Sequence, residues 1–140
     1  MRKINWVRVI LGGLLAGVVI NVIEFITNGV VLAADWEAAM KLAGRPTAPS
    51  AGALIVLTIW GFLMGIAAIW LYAAARPRFG PGPRTAALTG FAFWVLSSAL
   101  CAIDEAATGI YPVRLVTIVA LVCLGQALVA PEAGAWLYRE

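Results

Sequence analysis

A carboxylate lies inside the first long apolar stretch of the chain, at Glu24. At 100° per residue, it shares one side of a predicted helix with small residues and amides. These neighbours are Gly13, Gly17, Asn21 and Asn28. An ionised carboxylate at mid-bilayer costs roughly 2.5–3.5 kcal/mol on insertion scales, so such a group faces protein or water rather than lipid. The chemistry open to Glu24 is therefore proton or cation exchange, or a buried hydrogen bond.

The other apolar stretches each carry polar residues on one predicted helix face. These residues are Thr58, Asp104, Glu105, Arg114 and Thr117. A rise of 1.5 Å per residue places Glu24 about 23 Å from the inner membrane boundary. Thr58 and Thr117 lie at a similar depth, and Asp104, Glu105 and Arg114 lie about one turn nearer the outer side. Because polar groups in a bilayer must be satisfied internally, we expect all of them to converge with Asn21, Glu24 and Asn28 in one intramembrane cluster.

Two interpretations of this cluster are open. In the structural interpretation, Arg114 forms an ion pair with Asp104 or Glu105. The side chains of Asn28 and Thr58 hydrogen-bond Glu24, whose carboxyl group is then protonated. In the functional interpretation, that carboxylate exchanges a proton or a cation as the bundle opens, as embedded carboxylates do in pumps and transporters. We expect the structural interpretation, and the functional one is the alternative.

Enzyme chemistry finds little support. The chain has no histidine, which removes the commonest general base and most zinc sites. Its two cysteines, Cys101 and Cys123, lie in apolar segments far from any CxxC spacing and are interpreted as buried small hydrophobes, with a disulfide between them left open. Asp104 and Glu105 are adjacent, so on a helix they point about 100° apart and do not share a site. We expect no catalytic residue, metal site or cofactor.

The composition defines the elements that must hold these residues. Of the 140 residues, 63% are hydrophobic and 12% charged, against about 25% charged in soluble proteins. The bilayer must therefore be the solvent for most of one all-α membrane domain, a four-helix bundle. The predicted spans cover residues 9–34, 53–75, 85–108 and 113–138, and residues 35–44 form either an interfacial helix or a polar loop. A cleaved signal peptide is the alternative for the first span, but its apolar region is too long.

The positions of lysine and arginine predict the orientation. With both termini in the cytoplasm, seven of the ten basic residues lie on the inner side. This excess is typical of the positive-inside rule, so we expect N- and C-termini inside a bacterial cytoplasmic (inner) membrane. The net charge of +3 is thus an orientation signal, and no nucleic-acid partner is expected.

Two patterns predict how the spans are arranged. A GxxxG sequence occurs in the first span at Gly13 and Gly17, and in the second span at Gly61 and Gly65. Such faces let two helix backbones approach closely, which predicts tight packing of the first two spans. In addition, spans one and three end in Glu-x-x-Thr followed by Gly, and spans two and four end in Trp-Leu-Tyr. This pattern predicts two hairpins related by a pseudo-twofold axis.

The segments NWVRVILGGLLAGVVIN, NGVVLAADWEAAM and RPRFGPGP resemble small bacterial four-span membrane proteins over nearly the whole chain. That resemblance implies the four-span topology and a bacterial inner membrane, and it carries no activity or ligand. Glu24 is also similar in placement to the membrane-embedded glutamate of the small multidrug resistance transporters. The chain lacks their aromatic arrangement and their glycine-rich third-span pattern, and its first loop is longer, so this likeness is one of architecture alone.

The function expected from these observations is non-enzymatic. The chain would act by association within the lipid bilayer, as a homo-oligomer or as an accessory subunit with other membrane subunits. The alternative is a proton-coupled transporter or channel for a small solute, with Glu24 as the coupling carboxylate.

Overall fold

Helices account for nearly all of the chain in a computed structural model that describes residues 4–138. The helices are α1 (Trp6–Ile26), α2 (Ala33–Leu42), α3 (Ala51–Phe79), α4 (Pro83–Trp94), α5 (Leu100–Thr108) and α6 (Val113–Leu137). A π-helical turn, Thr27–Val31, extends α1, and a second, Val95–Ala99, joins α4 to α5. Trp6–Val31, Ala51–Phe79, Pro83–Thr108 and Val113–Leu137 are long and apolar enough to cross a membrane. The all-α fold is thus confirmed, and these four helices indicate a multi-pass membrane protein.

The helix boundaries follow local signals. Asn5 and Ser50 cap α1 and α3, their side chains accepting hydrogen bonds from backbone N–H groups at 3.2 Å. Gly109, with φ of 67°, ends α5 in the left-handed conformation that favours glycine. α3 continues past residue 75 through Pro77 to Phe79, so the predicted loop at 76–84 is shorter than expected.

The two ends of the bundle are distinguished by the elements that lie there. At one end, which we call the terminal end, the backbone N–H of Asn5 donates to Tyr138 Oη at 3.4 Å. The connection from α3 to α4 also lies there, with the Gly82 N–H donating to Tyr72 Oη at 3.2 Å. At the other end, the α2 end, α2 packs against the start of α6.

Glycine brings α1 and α3 into backbone contact in the half of the bundle nearer the terminal end. A Cβ added to Gly13 would lie 2.5 Å from Cα of Ile66. One added to Gly17 would lie 2.8 Å from Cα of Phe62. Gly65 lies directly against the backbone of Gly13 and Gly17. Since real side chains do not approach this closely, the helix crossing depends on the absence of side chains at these positions.

The same device joins α6 to two other helices. A Cβ on Gly12 would lie 2.6 Å from the carbonyl oxygen of Gly134, and Gly90 of α4 lies against the carbonyl of Ala127. Val9, Ala16, Ile69 and other residues of this half form the main buried cluster. The terminal half is therefore the tightly packed half of the molecule.

The α2 half is packed far less completely. Every residue of α3 from 51 to 60 is exposed, and α5 has no buried residue. The buried residues of α1 end at Ile20, and those of α3 begin at Gly61. The helices that meet through glycine near the terminal end are thus packed less closely toward the α2 end, in the half that holds Glu24.

Candidate functional site

The Glu24 carboxylate accepts hydrogen bonds from two neutral groups. Asn28 Nδ2 donates to Glu24 Oε2 at 2.6 Å, and the Cys123 thiol donates to Glu24 Oε1 at 3.8 Å. Glu24 is half-buried, and no cationic side chain among residues 4–138 pairs with it. Its hydrogen bonds therefore orient the carboxyl group, and they come from neutral groups alone.

A second hydrogen bond connects this carboxylate, through Asn28, to α2. Trp36 Nε1, on α2, donates to Asn28 Oδ1 at 2.9 Å, while the amide of Asn28 donates to Glu24. The two contacts fix the orientation of the amide, because one side must accept and the other must donate. Trp36, Asn28 and Glu24 thus form a hydrogen-bonded chain from α2 into the bundle, which we call the Trp36–Glu24 chain.

The π-helical turn Thr27–Val31 and the break at Leu32 allow α2 to fold back over the bundle. Leu32, with φ of −101° and ψ of 11°, leaves the helical conformation between the turn and α2. Leu32 and Ala39 then pack on Leu115 of α6 in a second buried cluster. Trp36 meets Tyr111 edge to face, with ring centroids 5.4 Å apart. Such T-shaped pairs are favourable geometries for aromatic rings.

Arg114 corrects one prediction. The sequence analysis paired it with Asp104 or Glu105, but its Nη1 lies 2.8 Å from Asp35 Oδ1 on α2. Arg114 is the second residue of α6, and α2 packs on that first turn, so Asp35 is the acid presented to it. Asp104 is exposed, Glu105 is half-buried, and neither forms an ion pair within residues 4–138.

Asn21 and the two threonines also lie apart from Glu24. Asn21 Nδ2 donates to the carbonyls of Gly17 at 2.9 Å and Thr58 at 3.2 Å, so it bridges α1 and α3. The Thr58 hydroxyl donates to its own helix at Leu54, not to Glu24 as expected. The Thr117 hydroxyl likewise donates to its own helix, at the carbonyl four residues earlier. The expected single cluster of eight residues is therefore divided. Within that set, Asn28 hydrogen-bonds the Glu24 carboxylate, and Asn21 separately hydrogen-bonds the backbone carbonyl of Thr58.

Sequence reasoning missed Trp36 and Cys123 as members of this site. The indole N–H of Trp36 requires an acceptor when it is buried, and this requirement was a signal for its role. Cys123 was interpreted as a small hydrophobe, yet its weak S–H donor faces the carboxylate. A signal for Cys123 was present in the antiparallel pairing of α1 with α6, in which Gly12 opposite Gly134 brings Glu24 opposite this part of α6.

Known proteins offer no guide to these residues. No protein-family model, no curated protein and no solved structure matches this chain. No group of three or more potential metal ligands occurs among residues 4–138. The functional interpretation therefore depends on the geometry alone.

Proposed function

We propose that this protein acts without catalysis, by association in the membrane through the α2 half of its bundle. The observation that supports this is the unequal packing of the four spans. The terminal half is closed by backbone contacts between glycines, whereas residues 51–60 of α3 and all of α5 have no buried position. A neighbouring membrane helix would supply the contacts that α3 and α5 lack.

The chemistry of this open half favours a protein partner over lipid alone. Asp104 is exposed within the apolar helix Pro83–Thr108 and forms no ion pair with the described residues. Lipid chains cannot hydrogen-bond a carboxylate, whereas side chains of a second protein can. The GxxxG faces do not provide this interface, because Gly13, Gly17 and Gly65 are occupied within the chain.

The partner proposed first is a second copy of the chain, and an accessory role in a complex with other membrane subunits is the alternative. The native Cys101 tests this, since it is exposed on α5 while Cys123 is half-buried. A bismaleimide applied to native membranes should yield a covalent dimer. Cys101→Ser should abolish the dimer, and Cys123→Ser should retain it.

Two results would count against self-association. One is a single-chain mass in nanodiscs made from native lipid. The other is the absence of cross-linked dimer from Cys101 and also from an Ile55→Cys variant, which probes the exposed part of α3. If both were found together with one stable adduct to a different membrane protein, identified by its mass, the accessory role would replace the homo-oligomer.

A second candidate function, proton-coupled transport of a small solute, is favoured by the setting of Glu24. A carboxylate bonded only to neutral donors in a membrane helix is suited to take up a proton or bind a cation. One turn further along α6, Gln126 is buried with Oε1 lacking a hydrogen-bond partner, which extends the polar groups toward the closed half.

Infrared difference spectroscopy in lipid separates the two candidates. The carboxyl band of Glu24, assigned by subtraction of Glu24→Gln, should titrate within about pH 5 to 9 if protons reach the site. Glu24→Gln should then abolish proton-driven uptake into proteoliposomes, while Glu132→Gln, at an exposed position, should not. A band that never changes across this range would remove the transport candidate and leave association.

We further propose that the protein lies in the inner membrane of a bacterium, with the terminal end of the bundle facing the cytoplasm. The arginines Arg8, Arg76, Arg78 and Arg84 lie toward this end, in agreement with the positive-inside rule. The repeat of two hairpins stays a prediction from the sequence. Labelling of an introduced terminal cysteine in intact cells would test the orientation, and reaction from outside would contradict it.

A further inference from the structure

The terminal end of the bundle holds a constrained arginine. Arg76 Nη1 donates to the carbonyl oxygen of Tyr138 at 3.3 Å. Its guanidinium carbon lies 5.9 Å from the ring centroid of Tyr72 and 5.1 Å from that of Tyr138. The two rings meet edge to face, with centroids 6.1 Å apart, and both tyrosines are 3% exposed. The guanidinium is therefore held in place by cation–π contacts and a backbone acceptor.

Arg8 lies in the first turn of α1, at the same end of the bundle as Tyr138. It lies one turn before Gly12, which faces Gly134, and Tyr138 lies one turn after Gly134. Asn5 connects the two, since its side chain accepts from the Arg8 N–H and its own N–H donates to Tyr138 Oη. Arg8 and Arg76 therefore lie at the same end of the bundle, where α6 ends.

Arg8 has a buried donor with nothing to bind. Its Nη1 is buried and has no hydrogen-bond partner. Leaving a buried donor of a charged group unsatisfied costs at least as much as a lost hydrogen bond, so an acceptor is expected at this position. The only carboxylate of the described residues toward this end is that of Glu132, which is exposed and forms no ion pair with them. The acceptor must then come from outside residues 4–138.

The anion that fits is a phosphate. A guanidinium presents a planar fork of donors that pairs with phosphate oxygens through two hydrogen bonds. Arg8 and Arg76 lie at the end of the apolar helices, which is the depth of lipid headgroups, and basic pockets between membrane helices bind anionic headgroups. We propose that Arg8 and Arg76, at the end of the bundle that holds Tyr138, bind the phosphate of an anionic phospholipid headgroup.

Native mass spectrometry of the full chain in detergent tests this site. Phosphatidylglycerol is the anionic probe, and phosphatidylcholine is the zwitterionic comparison. Arg8→Gln should weaken phosphatidylglycerol binding about tenfold or more, the equivalent of losing one charge-assisted hydrogen bond. The matched control is Arg84→Gln, which removes an equal charge from an exposed position toward the same end, and it should leave binding within about twofold.

A second variant guards against loss of folding. Arg8→Lys keeps the charge but loses the planar fork, so it should fold and bind phosphatidylglycerol more weakly than the wild-type chain. Equal losses for Arg8→Gln and Arg84→Gln would show diffuse surface attraction and overturn the proposal, as would unchanged binding in both Arg8 variants. Inorganic phosphate alone should not raise the melting temperature. A rise equal to that produced by phosphatidylglycerol would overturn the lipid assignment in favour of free phosphate.

Discussion

The contact between α1 and α3 can be tested by adding a single methyl group at Gly65. A Cβ at this position would overlap the carbonyl oxygen of Gly13 and the backbone nitrogen of Gly17. Both are backbone atoms, so neither can rotate away as a flexible side chain would. Gly65→Ala must therefore push the two helices apart or distort one of them.

Two opposing effects set the expected magnitude. Overpacking of a well-packed interior typically costs ~1–3 kcal/mol. Replacing glycine by alanine within a helix returns ~0.8–1 kcal/mol of helix propensity. Because the overlap at Gly65 is with backbone on two residues, we place its packing cost toward the upper part of that range. The net expectation is destabilisation by ~1–2 kcal/mol.

Gly125→Ala supplies the matched control. Gly125 lies within α6, and a Cβ added there would meet nothing within 4 Å. The same chemical change should therefore stabilise the chain by up to ~1 kcal/mol, which makes the difference between the two variants ~2–3 kcal/mol. Gly52 lies in the first turn of α3, where helix propensity counts for less, so it is a poorer control.

Reversible unfolding of the full chain in mixed micelles, with increasing denaturing detergent and far-ultraviolet circular dichroism, measures this difference. The free energy of unfolding should fall for Gly65→Ala and rise slightly for Gly125→Ala. Equal stability of the two variants, within ~0.5 kcal/mol, would refute the argument that backbone contact at Gly65 holds α1 against α3.

Three further predictions concern α2. Trp36→Phe keeps an aromatic ring but removes the indole N–H that donates to Asn28. The rate of amide hydrogen exchange in α2 should therefore increase, by an amount equivalent to a loss of ~1 kcal/mol in local stability. The control Trp60→Phe, at an exposed position, should leave that rate unchanged. Asp35→Asn breaks an ion pair that is largely exposed, and unfolding experiments should show a loss below ~1 kcal/mol. The pKa of Glu37 lies below its ordinary value because Lys41 hydrogen-bonds the carboxylate and attracts its charge. The contribution of this pair to the stability of the fold is therefore present above the ordinary pKa of Glu37, and it is lost as the pH falls through the lowered pKa. Carbon NMR titration should show this low midpoint, and Lys41→Gln should raise it.

The sequence predicted the spans and missed most of the long-range polar contacts, for physical reasons. Hydropathy and length are local properties, so the four apolar helices could be read directly. The partner of Arg114 depends on where α2 folds, and periodicity along one helix carries no information about that. Thr58 and Thr117 each have a carbonyl of their own helix four residues earlier, a local partner that a helical-wheel argument does not count.

The glycine pattern shows the same limit. Spacing within α1 placed Gly13 and Gly17 on one face, and these residues lie against α3. Gly12, one residue earlier, was not singled out, yet it faces Gly134 of α6. Two neighbouring glycines thus serve two different helices, because a change of 100° around α1 is enough to turn from one neighbour to the other. Only the three-dimensional arrangement distinguishes their roles.

The Trp36–Glu24 chain distinguishes the two candidate functions, because they place opposite demands on it. For a protein that acts by association, an intact Trp36–Glu24 chain is favourable, because Asn28 hydrogen-bonds the carboxylate and α2 stays in contact with this end of α1. A transporter must break the Trp36–Glu24 chain in every cycle, because Asn28 occupies one carboxylate oxygen of Glu24 and Trp36 holds Asn28 in place. Trp36→Phe weakens the link without touching Glu24. It should therefore speed proton exchange at the Glu24 infrared band if transport is the function. If the Glu24 band does not change in Trp36→Phe although amide exchange in α2 increases, the Trp36–Glu24 chain only holds α2 in place. Association is then the function that remains.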